Sequence, residues 1–316
     1  MTLRVFPHEI HAQDLQTNSL AELWAKQREG ISALLLEHGA IRFKGFELDS
    51  AEKFNEFMGS LSLAPGNYVD GNSPRTKLTD LVYTSTEYPA ELSISLHNEL
   101  SYSDIWPARL YFCCVVPPVS GGSTTIADSR RILAAMPSRI VEEYARRGVM
   151  YVRNLQSDAG LGVGKSWQQT FETKGRAEVE SRCRARNIKY EWLAGDTLRL
   201  IQIRPALAQH PRSGARVWFN QADQFHPSTN PPEVYEALLE LYGDSPFSMP
   251  QYSCFGDGTP IPDETLAQVR AVIAQQEVAK RWERGDVMVI DNMLTAHGRA
   301  PFAGARKVLV SMSDAA

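Results

Sequence analysis

The chain has 316 residues, of which 43% are hydrophobic and 22% charged, as is typical of a soluble globular protein with a full core. A formal net charge of −4, a pI near 6.0 and the lack of any block of like charges argue against a nucleic-acid-binding protein. The longest apolar run, residues 110–119, is too short to span a bilayer, and no signal core opens the chain. We therefore expect a cytoplasmic protein without a membrane segment.

The first third of the chain is predicted to contain two helices among strands. Ser19 and Glu22 form a capping box before an apolar stripe that is closed by Gly39, which indicates an amphipathic helix. A second helix is indicated by Asp49-Ser-Ala-Glu52 and the apolar stripe of Phe54, Phe57 and Met58 after it. Strands are predicted at 40–43, 90–96 and 108–116, the last followed by a turn at 117–122.

The rest of the chain is predicted to mix both element types in one domain, residues 1–316. Residues 130–215 are expected to be an insertion packed on a β core. Helices are predicted at 129–147, 176–186, 233–242 and 263–283, and strands at 198–204, 216–219, 286–291 and 307–312. The four cysteines lack Cys-x-x-Cys spacing and are predicted to be buried thiols: Cys113, Cys114, Cys183 and Cys254.

Two histidines and one glutamate form the most informative pattern. His97 and Glu99 stand two positions apart, and residues i and i+2 of an extended segment point to the same side. His297 follows the predicted strand at 286–291, and folding must bring it to the other two. Two imidazoles and one carboxylate on one face of an ion are the ligand set of non-haem Fe(II) oxygenases. A His-x-Glu pair alone occurs often by chance, so this prediction depends on the surrounding residues.

Those surrounding residues offer a site for a dicarboxylate. Arg306 stands at the start of the last predicted strand, where its guanidinium can form a bidentate pair with a carboxylate. Thr124, in Gly121-Gly122-Ser123-Thr124, adds a hydroxyl donor. Short strands that carry a metal site predict a mainly β fold with α (α+β). Its core is expected to be a double-stranded β-helix (jelly-roll, cupin-like) with flanking helices and a helical insertion.

With these motifs the chain closely resembles the taurine dioxygenase and TfdA family of Fe(II)/2-oxoglutarate-dependent oxygenases, over most of its length. Gly-Gly-x-Thr matches the family's co-substrate motif, and His297 with Arg306 matches its distal half. The resemblance implies that Fe(II) is held by His97, Glu99 and His297. It also implies that 2-oxoglutarate chelates the iron and places its far carboxylate on Arg306 and Thr124. Oxidative decarboxylation by O2 would yield succinate, CO2 and a substrate hydroxylated at an unactivated C–H bond.

Several segments further resemble the branch of syringomycin-type aspartyl β-hydroxylases, which hydroxylate amino acids or aminoacyl groups in nonribosomal peptide pathways. This implies an α-amino-acid substrate, free or presented by a peptidyl carrier protein. Val310 stands where taurine dioxygenase has a sulfonate-binding arginine, which argues against sulfonates. Radical halogenases lack the carboxylate ligand, so Glu99 favours hydroxylation or desaturation over halogenation. The matching segments are 72–75, 82–89, 96–102, 165–171 and 217–221.

Four residues are candidates for substrate contacts, and the sequence leaves a structural alternative open for each. Arg75 can pair with a substrate carboxylate or lie solvated in a loop. Glu87 can bind a substrate amine or be solvated. Trp167 can roof the pocket or pack in the core, and Asn220 can face the pocket from the polar end of an apolar strand.

Two residues are candidates for support of the ligands. Arg299 can support the co-substrate site or pair with Asp291, and Asn292 can orient His297 or merely end the preceding strand. His210 and His226 are predicted not to be ligands, because the triad is complete without them.

Other functions remain open on sequence alone. They are catabolic hydroxylation of a small carboxylate or betaine-like acid, desaturation, and a catalytically silent cupin-like binder. A basic run is predicted to be a solvated helix face or a docking surface for an acidic carrier protein. It consists of Arg176, Arg182, Arg184, Arg186 and Lys189. Sequence gives no oligomeric state and does not decide whether residues 65–89 form a lid.

Overall fold

The computed structural model describes residues 6–62, 75–86, 88–160 and 164–315. The α-helices are α1 Leu20–His38, α2 Ala51–Ser60, α3 Ser129–Ala135, α4 Ser138–Arg147, α5 Trp167–Phe171, α6 Arg176–Ala185, α7 Ala222–Phe225, α8 Pro232–Tyr242 and α9 Asp263–Gln275. The strands are β1 His8–His11, β2 Ala40–Lys44, β3 Tyr83–Thr84, β4 Ile94–His97, β5 Pro107–Val116, β6 Ser120–Gly121, β7 Thr124–Asp128, β8 Val149–Leu155, β9 Lys189–Leu193, β10 Thr197–Arg204, β11 Leu207–Gln209, β12 Arg216–Trp218, β13 Gln251–Phe255, β14 Val278–Ala279, β15 Val287–Asp291, β16 Thr295–Arg299, β17 Phe302–Ala303 and β18 Lys307–Ala315. None of the helices in these ranges is long and apolar enough to cross a membrane.

The first helix begins and ends where its capping residues predict. The Ser19 hydroxyl accepts a hydrogen bond from the Glu22 backbone N–H at 3.3 Å. Gly39 takes a left-handed conformation with φ 79° and closes the helix. The second helix begins within the predicted segment 49–52 and is capped by Ser50, whose side chain accepts from the Lys53 N–H.

Two predicted helices are shorter than expected, for local reasons. The predicted helix at 129–147 is broken into α3 and α4, because Pro137 pushes Met136 out of the helical region to ψ 135°. The predicted helix at 263–283 ends at Gln275, and Val278–Ala279 pairs with β7 instead. Likewise the strand predicted at 90–96 begins only at Ile94. The residues before it form a turn, in which the Leu92 N–H donates to the Pro89 carbonyl.

A six-stranded sheet of order β1-β2-β15-β5-β18-β3 separates two hydrophobic clusters. Side chains alternate across it: Leu110 and Phe112 of β5 lie in one cluster, whereas Tyr111 and Cys113 lie in the other, packed with residues of α1 and α2. One face of this sheet is therefore covered by the two N-terminal helices. Its other face is available to build the site.

A four-stranded sheet of order β14-β7-β16-β4 carries the predicted metal ligands. β16 is one of its two inner strands, and all five of its residues are buried. The sequence predicted that His297 lies in the segment that follows a strand, and the structure corrects this prediction. His297 lies within a strand that is hydrogen-bonded on both sides.

A further four-stranded sheet, β13-β8-β10-β9, is built mostly from residues 149–204. Its hydrophobic cluster contains Trp167 and Phe171 with residues of α6, so both aromatics pack in a core, which was one of the two roles open for Trp167. The four cysteines are buried and outside any disulfide, which confirms the prediction of buried thiols.

Candidate active site

The three predicted metal ligands meet where two strands face each other. His97, the last residue of β4, lies directly opposite His297 of β16 in antiparallel register, with ring centroids 4.4 Å apart. His297 Nε2 lies 3.6 Å from Glu99 Oε2. One ligand atom from each residue can be chosen so that all lie within 4.8 Å of one another. Within the described ranges this is the only group of three or more His, Cys, Asp or Glu side chains able to hold a metal ion.

Glu99 lies in the turn after β4, and Asn292 holds this turn in place. Asn292 Oδ1 accepts from the Glu99 backbone N–H at 2.7 Å, and Asn292 Nδ2 donates to the Glu99 and Pro107 carbonyls, each at 2.9 Å. Asn98 Nδ2 in turn donates to the Asn292 carbonyl at 2.6 Å. Asn292 is fully buried, so these bonds satisfy groups that water does not reach. Asn292 therefore holds the turn of Glu99, whereas the sequence left open that it orients His297 or merely ends the preceding strand.

Two groups contact the His97 ring at Nδ1. Nδ1 lies 2.9 Å from the Ser95 carbonyl oxygen and 3.0 Å from Gln224 Nε2, so Nε2 is the ring nitrogen left for a metal ion. Gln224 Nε2 donates to the same carbonyl at 3.1 Å, and Gln224 Oε1 accepts from Gln221 Nε2 at 2.8 Å. A pair of amides thus supports the ring of His97. Nothing in the sequence pattern indicated Gln224, which lies on the single-turn helix α7.

The donor set fits Fe(II). Burial, followed by the neighbouring His297, lowers the pKa of His97 to about 4, which leaves a neutral imidazole near pH 7. Burial alone raises the pKa of Glu99, but the Arg75 guanidinium and the two imidazoles outweigh it and hold that pKa well below its usual range. His297 Nδ1 is buried and has no hydrogen-bond partner among the described residues. Two imidazoles and one carboxylate form the facial set that non-haem Fe(II) enzymes use.

A small pocket lined by three arginines, Arg75, Arg299 and Arg306, opens beside the triad. Its lining includes Thr124, Arg299 and Arg306 together with His97 and His297. Arg306 donates through Nε to the Gly122 carbonyl at 2.8 Å, and its NH1 lies 3.1 Å from Ser85 Oγ. Burial, then the charge of Arg299, lowers the pKa of Arg306 to about 10, so it stays cationic at neutral pH.

The hydroxyl of Thr124 is oriented by a tryptophan that the sequence did not single out. Trp282 Nε1 donates to Thr124 Oγ1 at 3.2 Å. Because an indole N–H only donates, the Thr124 hydroxyl proton remains available to an acceptor in the pocket. Gly122, with φ +66°, must be glycine, because a Cβ there would lie 2.9 Å from Phe302 Cβ and 3.1 Å from Arg306 Cδ. The Gly-Gly-x-Thr segment can thus pack tightly against the arginine.

A second, larger cavity of about 600 Å³ opens on the other side of His97 and Glu99. Its lining consists of hydroxyl, carboxamide, aromatic and aliphatic side chains, and Glu99 is the only charged residue among its described members. Arg75 lies at the junction: its NH2 donates to Glu99 Oε2 at 2.6 Å, and its side chain is only 3% exposed. The Arg75 side chain is therefore buried beside Glu99, one of the predicted metal ligands, and is not solvated.

The remaining predicted residues divide between the site and its surroundings. Asn220 is not brought to the cavity, because its amide donates to the Ala206 carbonyl and accepts from the Ala222 N–H. Trp167 Nε1 donates to the Asp196 carbonyl, away from the triad. Arg299 lines the small pocket and donates to backbone carbonyls of residues 88–92 instead of pairing with Asp291. Glu87 lies outside the described residues.

The other two histidines have partners of their own. His210 Nε2 lies 3.1 Å from Asp291 Oδ2, and His210 Nδ1 accepts from the Ser213 N–H. His226 accepts from the Ser228 N–H. The basic run is largely paired as well, which leaves little uncompensated charge for docking. The pairs are Arg176–Asp196, Arg182–Glu178, Arg184–Glu180 and Arg186–Asp104.

Two relatives of known name match nearly the whole chain. The dapdiamide synthesis protein DdaC of Enterobacter agglomerans is 36% identical over 284 residues, which cover 90% of this chain and 84% of the relative. A clavaminate synthase-like protein of Arabidopsis thaliana is 30% identical over 292 residues, with the same coverage of both chains.

The fold is shared with PvcB of Pseudomonas aeruginosa, at a TM-score of 0.52 and 17% identity over 93% of this chain and 81% of PvcB. A second PvcB structure, described as an Fe, α-ketoglutarate-dependent oxygenase from an isonitrile synthetic pathway, gives a TM-score of 0.50 at 17% identity, covering 96% and 81% of the two chains. At this identity the likeness shows the fold alone. The sequence pattern of the taurine catabolism dioxygenase TauD, TfdA family matches residues 3–312. The chain therefore belongs to the TauD, TfdA family and is an Fe(II)- and 2-oxoglutarate-dependent dioxygenase that uses O2.

Proposed function

We propose that the protein hydroxylates an unactivated C–H bond of an α-amino acid, free or tethered to a carrier protein. The overall reaction converts substrate, 2-oxoglutarate and O2 into hydroxylated substrate, succinate and CO2. The observation that carries the proposal is the arrangement of two cavities that share His97: one is lined by arginines, and the other has Glu99 as its only charged lining residue among those described. A dapdiamide synthesis protein at 36% identity supports a biosynthetic role.

His97, Glu99 and His297 are the proposed ligands of Fe(II). When bound, the iron and 2-oxoglutarate together supply the oxidant that attacks the C–H bond. The chain contributes geometry: Asn292 fixes the turn of Glu99, while Ser95 and Gln224 fix the ring of His97. Arg306 and the oriented hydroxyl of Thr124 are proposed to hold the far carboxylate of 2-oxoglutarate.

The larger cavity is the proposed substrate site. Its volume of about 600 Å³ lies in the range of small-molecule pockets. Arg75 is the proposed partner of the substrate carboxylate, because its buried guanidinium lines the small pocket and pairs with Glu99, which lines the larger cavity. Glu87 is the proposed partner of the substrate amine.

A betaine-like substrate is not favoured by the aromatic residues in this cavity. Of the three aromatic residues that line it, Tyr102 and Phe225 pack against each other with centroids 4.9 Å apart, and the Arg153 guanidinium lies 4.9 Å from the Tyr102 ring. Tyr88 is the only other aromatic side chain in the described lining, and one ring does not make a cage. Rings with occupied faces do not form an aromatic cage for a quaternary ammonium group. No described feature favours desaturation over hydroxylation, so desaturation of the same substrate class stays the alternative reaction.

Three further proposals concern the fold and the domain organisation. We propose that the six-stranded sheet and the sheet β14-β7-β16-β4 form the two halves of a double-stranded β-helix (jelly roll). The chain is proposed to be one oxygenase domain. Residues 130–215, which supply most of the separate sheet β13-β8-β10-β9, are its proposed insertion.

An anaerobic titration of the apo-protein with Fe(II) and 2-oxoglutarate tests the proposal. We expect a visible charge-transfer band for the bound chelate, absent in Glu99→Ala and much weaker in Arg306→Ala. The control is Arg212→Ala, because Arg212 is exposed and bonds only to Ser32 Oγ in the described structure. Free and carrier-bound amino acids are then added. A shift of the band, followed under O2 by product containing one more oxygen atom, supports the proposed substrate class, whereas turnover only with other acids contradicts it.

A further inference from the structure

The backbone carbonyls of residues 88–92 converge on one short segment of chain. Arg299 NH1 donates to the Tyr88 carbonyl at 2.9 Å, and Arg299 NH2 donates to the Pro89 and Leu92 carbonyls at 2.5 and 2.7 Å. The Phe302 backbone N–H donates to the Ala90 carbonyl at 2.9 Å. Four of the five carbonyls in 88–92 are thus held by residues 299–302.

The held residues form a wall of the larger cavity. Tyr88 and Leu92 line it, and the two residues are 46% and 39% exposed. They therefore offer apolar surface to a substrate. Because this wall begins beside a loop and has little regular structure, its shape depends on the hydrogen bonds that Arg299 makes.

The same segment connects the wall to the metal and to the co-substrate pocket. Arg299 stands two residues after His297 in β16 and seven residues before Arg306. Arg299 is paired with Thr124 of β7 on one side and with Ile94 of β4 on the other, where the register shifts between His297 and Arg299. The position of Arg299 is therefore fixed by the strand that carries the proposed metal ligand.

Arg299 and Arg306 share one aromatic ring. Their guanidinium carbons lie 5.0 and 5.6 Å from the centre of the Phe302 ring, and both side chains line the small pocket. No carboxylate of the described residues lies within ion-pair distance of either guanidinium. Two partly buried cations on one ring repel each other, and an anion in the pocket offsets that repulsion.

We propose that Arg299 is a positioning residue that shapes the substrate-cavity wall, and that the anionic co-substrate, bound at Arg306, stabilises this wall through Arg299. The inference rests on the proposed co-substrate site. It assigns Arg299 to the substrate side of the reaction, although the residue lines the co-substrate pocket. On this proposal, binding of 2-oxoglutarate in the small pocket makes the wall of the larger cavity more ordered.

Hydrogen–deuterium exchange measured by mass spectrometry tests the inference without turnover. The wild-type protein is compared with Mn(II) alone and with Mn(II) plus 2-oxoglutarate. We expect the amides of residues 90–93 to exchange about fivefold more slowly when 2-oxoglutarate is present. Binding of 2-oxoglutarate is measured separately: the ligand is added stepwise to the protein, and the change in intrinsic tryptophan fluorescence is recorded.

The variant Arg299→Lys sharpens the test. A lysine is a point donor that cannot span three carbonyls, so we expect exchange at 90–93 to rise about tenfold and to lose its dependence on 2-oxoglutarate. Affinity for 2-oxoglutarate is expected to change less than about threefold, since Arg306 is the proposed clamp. The matched control is Arg147→Lys, whose guanidinium also lies over a ring, 3.7 Å from the centre of Phe255, and pairs with Asp257. This control should leave exchange at 90–93 unchanged.

The outcomes separate the two proposals. If 2-oxoglutarate binds and exchange at 90–93 does not change, the inference about Arg299 is wrong and the proposed function stands. If 2-oxoglutarate does not bind the wild-type protein, the proposed co-substrate site and this inference fail together. Should Arg299→Lys fail to fold, the wild-type comparison alone decides.

Discussion

Replacing Asn292 by alanine should damage the metal site more than the fold. The change removes three hydrogen bonds: one from the Glu99 N–H and one each to the Glu99 and Pro107 carbonyls. Each group stays buried without its partner, at about 1 kcal/mol apiece, so we expect about 3 kcal/mol lower stability and a melting temperature lower by about 6–12 °C. Because the turn that aims the Glu99 carboxylate is then loose, Fe(II) affinity should fall about 10- to 100-fold.

A matched variant separates these two effects. Asn154 also makes three side-chain hydrogen bonds, to the Phe247 and Met249 carbonyls and from Arg199 Nε, and it lies in the sheet away from the triad. Asn154→Ala should lower the melting temperature by a similar amount and leave Fe(II) affinity unchanged. Both quantities are measured on the same preparations, by thermal denaturation and by anaerobic Fe(II) titration in the presence of 2-oxoglutarate. If the two variants bind Fe(II) equally well, Asn292 only ends a strand and its proposed role is refuted.

Three further changes test other parts of the site and fold. Trp282→Phe removes the N–H that orients the Thr124 hydroxyl, so 2-oxoglutarate should bind about fivefold more weakly in the chelate titration, and an unchanged affinity would show that Thr124 does not contact the co-substrate. Gln224→Met removes the amide that shares the Ser95 carbonyl with His97 and should weaken Fe(II) binding about tenfold, which a titration of both proteins checks. Burial, against the opposing charge of Asp263, lowers the pKa of His226 to about 4. The unfolded chain therefore binds a proton at this residue below about pH 6.5 while the folded protein does not, and about 3 kcal/mol of stability is lost as the pH falls from 6.5 to 4. Urea denaturation at pH 7.5 and 4.5 should show a smaller acid loss in His226→Asn than in the wild-type protein, and equal losses would contradict this assignment.

The elements that the sequence predicted well are those set by local chemistry. Helix α1 follows from Ser19 and Gly39, and β5 and β15 follow from continuous apolar runs. The errors at Pro137 and after Gln275 are errors of extent. In both cases an apolar pattern continues past the residue at which the backbone stops being helical.

The strands that form the site were the hardest to predict, and the reason is their function. β7 reads Thr-Thr-Ile-Ala-Asp and β16 reads Thr-Ala-His-Gly-Arg, yet both are fully buried. Prediction from hydrophobic periodicity assumes that buried positions are apolar. These strands instead bury hydroxyl, imidazole and guanidinium groups that bind one another or face the two cavities. The hydrophobic pattern therefore fails to predict these two strands, because their buried side chains form the candidate site and are polar.

The ligands themselves were predictable, whereas the residues that aim them were not. His97 and Glu99 stand close in sequence, and their spacing alone indicates a shared side. Asn292 contacts Glu99 across 193 positions, and Trp282 contacts Thr124 across 158. An asparagine after a strand is also ordinary turn chemistry, so the sequence offered two roles for Asn292 and no means of choosing between them. The choice is made by the register of β16 against β4: once His297 faces His97, Asn292 lies at the level of Glu99, and the amide that ends one strand becomes the support of the carboxylate that follows the other.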